Sequence, residues 1–299
     1  MVFTRSERDA KEREDPRFQR TALPKRQDGS TDTDALAEIL KSKKVETCFL
    51  CIPQLLVASA EAYVKQDLLP ALTQAKVVRM VKVGTGNAEH YEYGRRHIAA
   101  EKAIRDTGVT LTVLQGGDLS SNPQWLGPAP PGAPLVLIDV FKGLSTLSYV
   151  GLSIFRSMGN LANFLGTAKE PFLHLSDFGE ALAACLLNAK DHEDKTYKVY
   201  SDVVSMQDVA DVYSSLLGRK IHVLDMNDDE IRALLAMDGF KGEMADIALE
   251  MFSQFKKGVY EPDSSWDGFQ KLCPGREPRR FKDFAAEKVN AGWKPLKLW

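Results

Sequence analysis

The chain has 299 residues, of which 44% are hydrophobic and 27% charged, a composition that is typical of a globular protein and excludes a disordered one. Its 39 Lys and Arg residues nearly balance 41 Asp and Glu, and the net charge of −2 argues against a nucleic-acid-binding protein. No apolar run reaches the ~18 residues of a transmembrane helix. The four scattered cysteines favour a reducing compartment, so we expect a soluble intracellular α/β protein, cytoplasmic by default.

Alternating strands and helices are predicted through the first half of the chain. A short strand at Val2–Thr4 precedes a segment of mixed charge, and residues 31–34 offer caps for a helix over 35–41. Apolar runs then predict buried parallel strands over 45–52, 77–83 and 109–114, separated by helices over 55–74 and 93–106. This order is typical of a parallel sheet with helices on both faces.

A loop rich in proline and glycine over 123–134 marks a change of organisation. It divides the chain into a nucleotide-binding-type region, residues 1–134, and a second region, residues 135–299, with the remaining strands and a small mixed lobe. The second region is predicted to contain strands over 135–138, 196–200 and 220–224, and helices over 177–188 and 205–217. The apolar stretch 144–164 suits either a pocket lining or a buried helix.

Cys48 and Cys51 form a C-x-x-C pair, but both fall within a predicted strand and not at a helix N-terminus. A three-residue offset in a strand points two side chains to opposite faces, which favours core cysteines over a redox pair. No second cysteine or histidine pair stands at ligand spacing, so no metal site is predicted.

A candidate dinucleotide-binding loop follows the predicted strand over 77–83. It consists of Gly84, Thr85 and Gly86. The dinucleotide fingerprint needs a third glycine at the position that Glu89 occupies. A plain turn is therefore the favoured interpretation.

Tyr93 and His97 are four residues apart on one helical face and are the candidate catalytic pair. Many hydride-transfer enzymes acidify a tyrosine with a lysine one turn along, and here a histidine replaces that lysine. A neutral imidazole lowers the pKa of a phenol less than an ammonium does. A surface Tyr–His pair, or a local ion pair between His97 and Glu101, is the simpler alternative.

Asn122 and His174 are candidate substrate-binding residues. Asn122 follows the strand over 109–114, at the edge where open α/β sheets bind ligands, and capping of the next turn explains it equally well. His174 precedes a helix together with Asp177, whose default role is that of an N-cap or first-turn acid of that helix. The basic residues of 276–282 are interrupted by acids, which predicts a solvated surface turn.

The order of several segments resembles the NmrA-like family, atypical short-chain dehydrogenase/reductases that include quinone and triphenylmethane reductases. Residues 97–114 are similar to the family's HxxxE helix and the strand after it, and residues 47–53 and 78–83 resemble its fourth and fifth strands. Later matches follow in the same order at 171–177, 194–197 and 217–221. The resemblance implies a Rossmann-like sheet, an NADP-type cofactor, and a nicotinamide near Pro53, Gly84 and Thr85.

The N-terminal segment departs from the family pattern. Family members begin with a strand, a glycine-rich turn that holds the cofactor pyrophosphate, and a helix. The 44 residues before Val45 have room for little more than one strand–helix–strand unit. The best register places Val2–Thr4 on the family's second strand and Arg5 where a 2′-phosphate would bind, so the first strand and its glycines are expected to be absent. The family's strand-six arginine is replaced by Gln115.

An absent first strand would have two consequences. Val2–Thr4, or a strand from a protein partner or second copy, would fill the gap, because buried unpaired backbone groups cost ~1–3 kcal/mol each. The pyrophosphate cradle would be lost, and Arg5 would replace it only in part. We therefore expect a non-catalytic or weakly cofactor-binding structural or regulatory subunit. The alternative is an NAD(P)H-dependent oxidoreductase acting on a quinone-like or conjugated carbonyl acceptor.

Overall fold

The computed structural model describes residues 2–4, 20–27, 30–52, 59–119, 160–237 and 240–290. Three of the predicted site residues, Arg5, Pro53 and Asn122, lie outside the described residues. The predicted strand over 135–138 and the loop proposed as a boundary between two regions also lie outside them, so the boundary stays a prediction.

Strands and helices alternate along the described chain. The strands are β1 (Val2–Thr4), β2 (Arg20–Ala22), β3 (Thr47–Leu50), β4 (Arg79–Thr85), β5 (Thr110–Gly116), β6 (Asp118–Leu119), β7 (Asn160–Asn163), β8 (Glu170–Leu173), β9 (Thr196–Val199), β10 (Asp202–Val204) and β11 (His222–Asp225). The helices are α1 (Thr33–Ser42), α2 (Ala60–Tyr63), α3 (Leu69–Gln74), α4 (Glu92–Arg105), α5 (Leu175–Leu187), α6 (Met206–Leu217), α7 (Asp228–Met237), α8 (Glu243–Lys256), α9 (Gly268–Leu272) and α10 (Phe281–Asn290). A π-helical turn at Val64–Leu68 joins α2 to α3.

Four parallel strands in the order β3–β4–β5–β9 form the central sheet. This arrangement confirms the predicted α/β class with a Rossmann-like parallel sheet. The predicted loop at Gly84 and Thr85 is wrong, because β4 continues through Thr85 and the turn begins at Gly86. The register pairs Lys82 with Leu50 on one side and with Val113 on the other. Since Leu50 ends β3, Lys82 lies level with the carboxyl end of that strand.

Strand β1 pairs in parallel with β2 in a separate two-stranded sheet. The proposed filling of a gap in the central sheet by Val2–Thr4 is therefore wrong, because the backbone groups of this segment pair with Arg20–Ala22 instead. Within the described residues, β3 pairs only with β4, so one edge of the central sheet ends at β3.

Helices cover both faces of the central sheet. Because side chains alternate between the two faces along each strand, apolar residues of the strands pack against both layers of helices. On one face, Met80 and Leu111 pack against buried residues of α1, α3 and α4, such as Ile104. On the other face, Val81 and Leu114 pack with residues of α5 and α9. Asp32 caps α1 by accepting a hydrogen bond from Ala35 N, as the cap residues at 31–34 predict.

The second half of the chain adds small sheets and helices around an aromatic cluster. Strand β8 pairs antiparallel with β10 and parallel with β6, while β7 pairs in parallel with β11. Residues 160–163 were expected to end a helix and form a strand instead. The cluster that holds these elements together contains Tyr91, Phe172, Tyr213, Phe255, Tyr260, Trp266 and Phe281.

None of the helices in the described ranges has both the length and the apolar character that crossing a bilayer requires.

Candidate functional site

Lys82 is a fully buried lysine in the middle of the central sheet. Its side chain is 0% exposed and lies on the same face of β4 as Met80, two residues earlier. A buried ammonium is tolerated only when other polar groups satisfy it, since the cost of leaving water is large. The groups that satisfy Lys82 come from α4, which packs across this face of the sheet.

Helix α4 presents Tyr93, His97 and Glu101 at successive i,i+4 positions of one face. Because α4 follows β4 after a short turn, it begins at the carboxyl edge of the sheet. At a rise of about 1.5 Å per residue, Tyr93 lies ~6 Å nearer that edge than His97. The ring centroids of Tyr93 and His97 are 5.0 Å apart. His97 is only 4% exposed, so the alternative of a surface Tyr–His pair is wrong.

Three hydrogen bonds satisfy the Lys82 ammonium. Its Nζ donates to Glu101 Oε1 at 3.0 Å and to the backbone oxygen of Val83 at 2.8 Å, and it lies 2.9 Å from His97 Nδ1. The alternative of a local ion pair between His97 and Glu101 is also wrong, because the carboxylate pairs with Lys82. We call Lys82, His97 and Glu101 the buried triad.

The pKa values of two members of the buried triad are displaced downward. Burial, and secondarily the Lys82 ammonium, hold the pKa of His97 well below its usual range, so its imidazole is neutral. Burial also lowers the pKa of Lys82, and the Glu101 carboxylate opposes that shift. His97 Nε2 is buried without a hydrogen-bond partner in the described structure. Buried polar atoms without a partner are rare, and Trp266 Nε1 is another in the described structure.

Gly84 allows the sheet and the buried triad to pack closely. A Cβ at this position would lie 2.8 Å from Val113 Cγ1 and 3.3 Å from Glu101 Oε1, closer than normal contact. The structure therefore places Gly84 against Glu101 of the buried triad, to which His97 also belongs.

Thr85 belongs to a separate hydrogen-bond network at the end of β4. Its Oγ1 lies 2.6 Å from Tyr91 Oη, which donates to the backbone oxygen of Gly86 at 2.6 Å. Tyr260 covers the same network and donates to the backbone oxygen of Gly116 at 2.9 Å. The Thr85 hydroxyl thus already has a protein partner, which fastens the C-terminal aromatic cluster over the carboxyl edge of the sheet.

His174 lies in a third polar cluster, away from the buried triad. Its Nδ1 accepts from Ser176 N and so caps α5, and its backbone N donates to Ser201 Oγ at 2.9 Å. Ser201 Oγ in turn donates to Asp177 Oδ2 at 2.6 Å. Asp177 lies in the first turn of α5, as its default role as a first-turn acid predicts, while the cap itself is His174. Asp177 is also fully buried and binds the guanidinium of Arg279. The predicted basic turn is exposed at Arg276 and Arg280, while Arg279 is partly buried by its pairing with Asp177.

The two cysteines of the C-x-x-C pair differ in exposure. Cys48 lies on β3, and burial raises the pKa of its thiol to about 11, which keeps it protonated and unreactive. Cys51 follows the strand and is exposed, so its expected place in the core is wrong. In the described part of the chain, no three Cys, His, Asp or Glu side chains come together as potential metal ligands.

Lys82 is the member of the buried triad that the sequence prediction missed. It was assigned only to a strand, because its partners are contributed by a helix 15 and 19 residues further on. The available signal was a lysine in the middle of a strand whose other charged residue, Arg79, lies at its start. A buried charge needs a partner, so this signal pointed to a carboxylate on the covering helix.

No family model matches the chain. Agroclavine dehydrogenase from Claviceps fusiformis is 28% identical over 126 residues, which is 41% of this chain and 41% of that relative. The triphenylmethane reductase of Citrobacter sp., solved with NADP(H), is 20% identical with a TM-score of 0.61, over 86% of this chain and 80% of that chain. The NADPH-dependent quinone oxidoreductase of Escherichia coli, solved with NADPH, is 19% identical with a TM-score of 0.65, over 87% and 81%. The chain thus matches less than half the length of its curated relative.

These likenesses confirm the resemblance that the sequence motifs predict. The chain has the Rossmann-like α/β fold of these two reductases.

Proposed function

We propose that this protein is an NADP(H)-dependent oxidoreductase that reduces a quinone-like or other conjugated acceptor. The observation that carries the proposal is the unpartnered His97 Nε2 on the face of the sheet beside the carboxyl end of β3. Open α/β sheets bind their ligands at the carboxyl ends of the strands. The dehydrogenase relatives and the NADPH-bound neighbours support the same assignment.

The described residues fit the nicotinamide end of a dinucleotide. The orphaned donor of His97 suits an uncharged oxygen acceptor, and Gly84 lies beside the buried triad. We keep Gly84 and Thr85 as proposed cofactor-binding residues, with Thr85 contributing through the turn that its hydroxyl supports. Arg5 and Pro53 remain proposed cofactor contacts, while Asn122 and His174 remain proposed substrate contacts, from the sequence alone.

The proposed reaction assigns one role each to Tyr93 and His97 on α4, and a supporting role to the Lys82–Glu101 pair. When bound, the reduced nicotinamide supplies a hydride, which carries two electrons and one proton equivalent. His97 holds the acceptor oxygen through Nε2, and Tyr93, one turn nearer the edge, donates the second proton to that oxygen and regains it from solvent. Reduction of a quinone to a hydroquinone then balances with one hydride and one proton. Lys82 and Glu101 keep their charges paired below the site and move no proton.

NADPH binding and turnover test this proposal directly. Calorimetry is expected to show NADPH binding, and NADPH absorbance is expected to fall only after a quinone such as menadione is added. Replacement of Tyr93 by Phe is expected to lower kcat by about a hundredfold with little change in the KM for NADPH, as general-acid catalysis requires. Tyr197→Phe, which removes a hydroxyl bonded to His192, is the matched control and should leave kcat unchanged. Absence of NADPH binding at millimolar concentration would refute the proposal.

A non-catalytic nucleotide-binding or regulatory subunit is the second candidate. The Thr85 network favours it, because the hydroxyl at the end of β4 is bonded to Tyr91 and covered by Tyr260. This candidate predicts that NADPH binds, and that no quinone accelerates its oxidation. The same two measurements therefore separate the two functions.

A further inference from the structure

We propose that Lys82 is a positioning residue that locks His97 in the neutral tautomer with its proton on Nε2, so that the imidazole presents one permanent donor to a carbonyl-type oxygen of a bound ligand. The ligand half of this proposal rests on the oxidoreductase function proposed above. The tautomer half concerns the folded chain alone.

The hydrogen bonds of Lys82 determine the tautomer. An ammonium has three donors and no acceptor, and Lys82 Nζ has three partners at 2.8–3.0 Å: Val83 O, Glu101 Oε1 and His97 Nδ1. His97 Nδ1 must therefore accept a hydrogen bond and carries no proton. In a neutral imidazole the single proton then resides on Nε2, on the far side of the ring from Lys82.

His97 Nε2 is a buried donor that the described structure leaves without an acceptor. Buried polar atoms in folded proteins almost always have a partner, so this atom marks a place for a ligand acceptor. A neutral imidazole N–H can polarise a carbonyl oxygen without giving up its proton. Both the carboxamide of a nicotinamide and the carbonyl of a quinone provide such an oxygen.

Within the described ranges, the polar and charged groups near His97 come from β4, α4 and the residue after β3. Lys82 on β4 contacts the ring directly, while Glu101 and Tyr93 lie one turn away on α4. Cys51, after β3, and Arg105, at the end of α4, act on Lys82 at longer range. Burial and the Lys82 charge both oppose protonation of the imidazole, so the same tautomer is expected on either side of neutral pH.

Nitrogen NMR of the full chain with ¹⁵N-labelled histidine tests the tautomer. The two ring nitrogens of His97, identified by their loss in His97→Asn, are followed from about pH 5 to about pH 8.5, which spans the usual histidine pKa of ~6.5. We expect an unprotonated Nδ1 and a protonated Nε2 at every pH. A mixture of tautomers, a protonated Nδ1, or titration near the usual pKa would overturn the proposal.

Variants then test the part played by Lys82. Replacement of Lys82 alone leaves Glu101 buried without a cation and can prevent folding, so the decisive variant is Lys82→Met/Glu101→Leu, which removes both charges. We expect this variant to show a mixture of His97 tautomers. An unchanged, single Nε2–H tautomer would overturn the role of Lys82. Lys102→Met is the matched control, because Lys102 is an exposed lysine on the same helix, paired with Asp106, and its loss should leave the His97 signals unchanged.

Added ligands test the donor. A shift of the His97 Nε2 signal with NADP⁺ alone identifies the nicotinamide carboxamide as the acceptor, and a shift only after menadione is added identifies the substrate carbonyl. If calorimetry shows binding and neither addition moves Nε2, the ligand half is wrong. If NADP⁺ does not bind, the proposed function fails with the ligand half, while the pH series still decides the tautomer.

Discussion

The ammonium nitrogen of Lys82 lies 2.9 Å from Nδ1 of His97, deep inside the protein between a central strand and the helix that follows it. Through this contact and the adjacent bond to Glu101, β4 and α4 are joined by charge as well as by apolar packing. The position of His97 relative to the carboxyl edge of the sheet therefore depends on Lys82, which lies further inside the sheet. Stability and ligand binding are expected to be coupled through this contact.

Replacement of Glu101 by Gln is expected to destabilise the protein by about 3–5 kcal/mol. The change removes the negative partner of Lys82, whose side chain is fully buried, and leaves an unpaired ammonium in the core. Urea unfolding followed by circular dichroism measures the loss. Glu38→Gln removes the exposed partner of Lys41 and should change stability by less than about 0.5 kcal/mol. Equal effects of the two variants would contradict the buried pair.

The stability of the protein is expected to fall as the pH drops below the usual histidine pKa of ~6.5. His97 has a depressed pKa in the folded state, so the unfolded chain binds a proton there that the folded chain does not. Its contribution to stability is complete above the unfolded pKa and is lost as pH falls toward the folded pKa.

The slope that His97 contributes approaches about 1.4 kcal/mol per pH unit, the value for one proton. Urea unfolding at several pH values between about 7.5 and about 5 measures it. In His97→Gln the slope over this window should decrease, because the buried neutral imidazole is removed. An unchanged slope in His97→Gln would show that the imidazole is not buried in its neutral form.

Addition of a single methyl group at Gly84 is expected to cost about 1–3 kcal/mol, the range for overpacking a core. In Gly84→Ala the new Cβ would lie 2.8 Å from Val113 Cγ1, so the strand must move away from its neighbour. Gly179, in the middle of α5, has nothing within 4 Å of a new Cβ. Gly179→Ala is therefore the control and should stabilise the helix slightly. Thermal unfolding of the two variants should show Tm changes of opposite sign.

Replacement of Arg279 by Met is expected to destabilise the protein by about 2 kcal/mol. The guanidinium binds Asp177, which is fully buried, although Asp177 also accepts hydrogen bonds from Ser201 Oγ and from the backbone N of Arg279. These remaining bonds, and the partial exposure of Arg279, keep the loss below that of a fully buried pair. Arg280→Met, at a more exposed arginine paired with Asp202, should change the denaturation midpoint far less. Similar midpoints for both variants would refute the assigned role of Arg279.

The local pattern of apolar residues in the sequence was sufficient to predict the main strands of the sheet. The apolar runs around β3, β4 and β5 predict buried parallel strands, because both faces of such strands are covered by helices. The segment at β9 was predicted only as a strand. The spacing of His97 and Glu101 also predicts that they share one helical face, since positions four apart are neighbours on any α-helix. The order of these elements was sufficient to indicate the fold class, which the structural neighbours confirm.

The partners of the buried charges depended on contacts between distant segments. Residue spacing cannot show that Lys82 reaches across from β4 to α4, or that Asp177 pairs with an arginine 102 residues later. The pairing of Val2–Thr4 with Arg20–Ala22 could not be predicted from the sequence either, because it depends on which strand edges are adjacent in the folded protein. The spacing of apolar residues predicts which face of a single helix or strand is buried. A buried charge, in contrast, is stabilised by a group from another segment, which only tertiary packing brings into contact with it. For that reason the fold class could be read from the chain, and the chemistry of His97 emerged only once Lys82 was seen beside it.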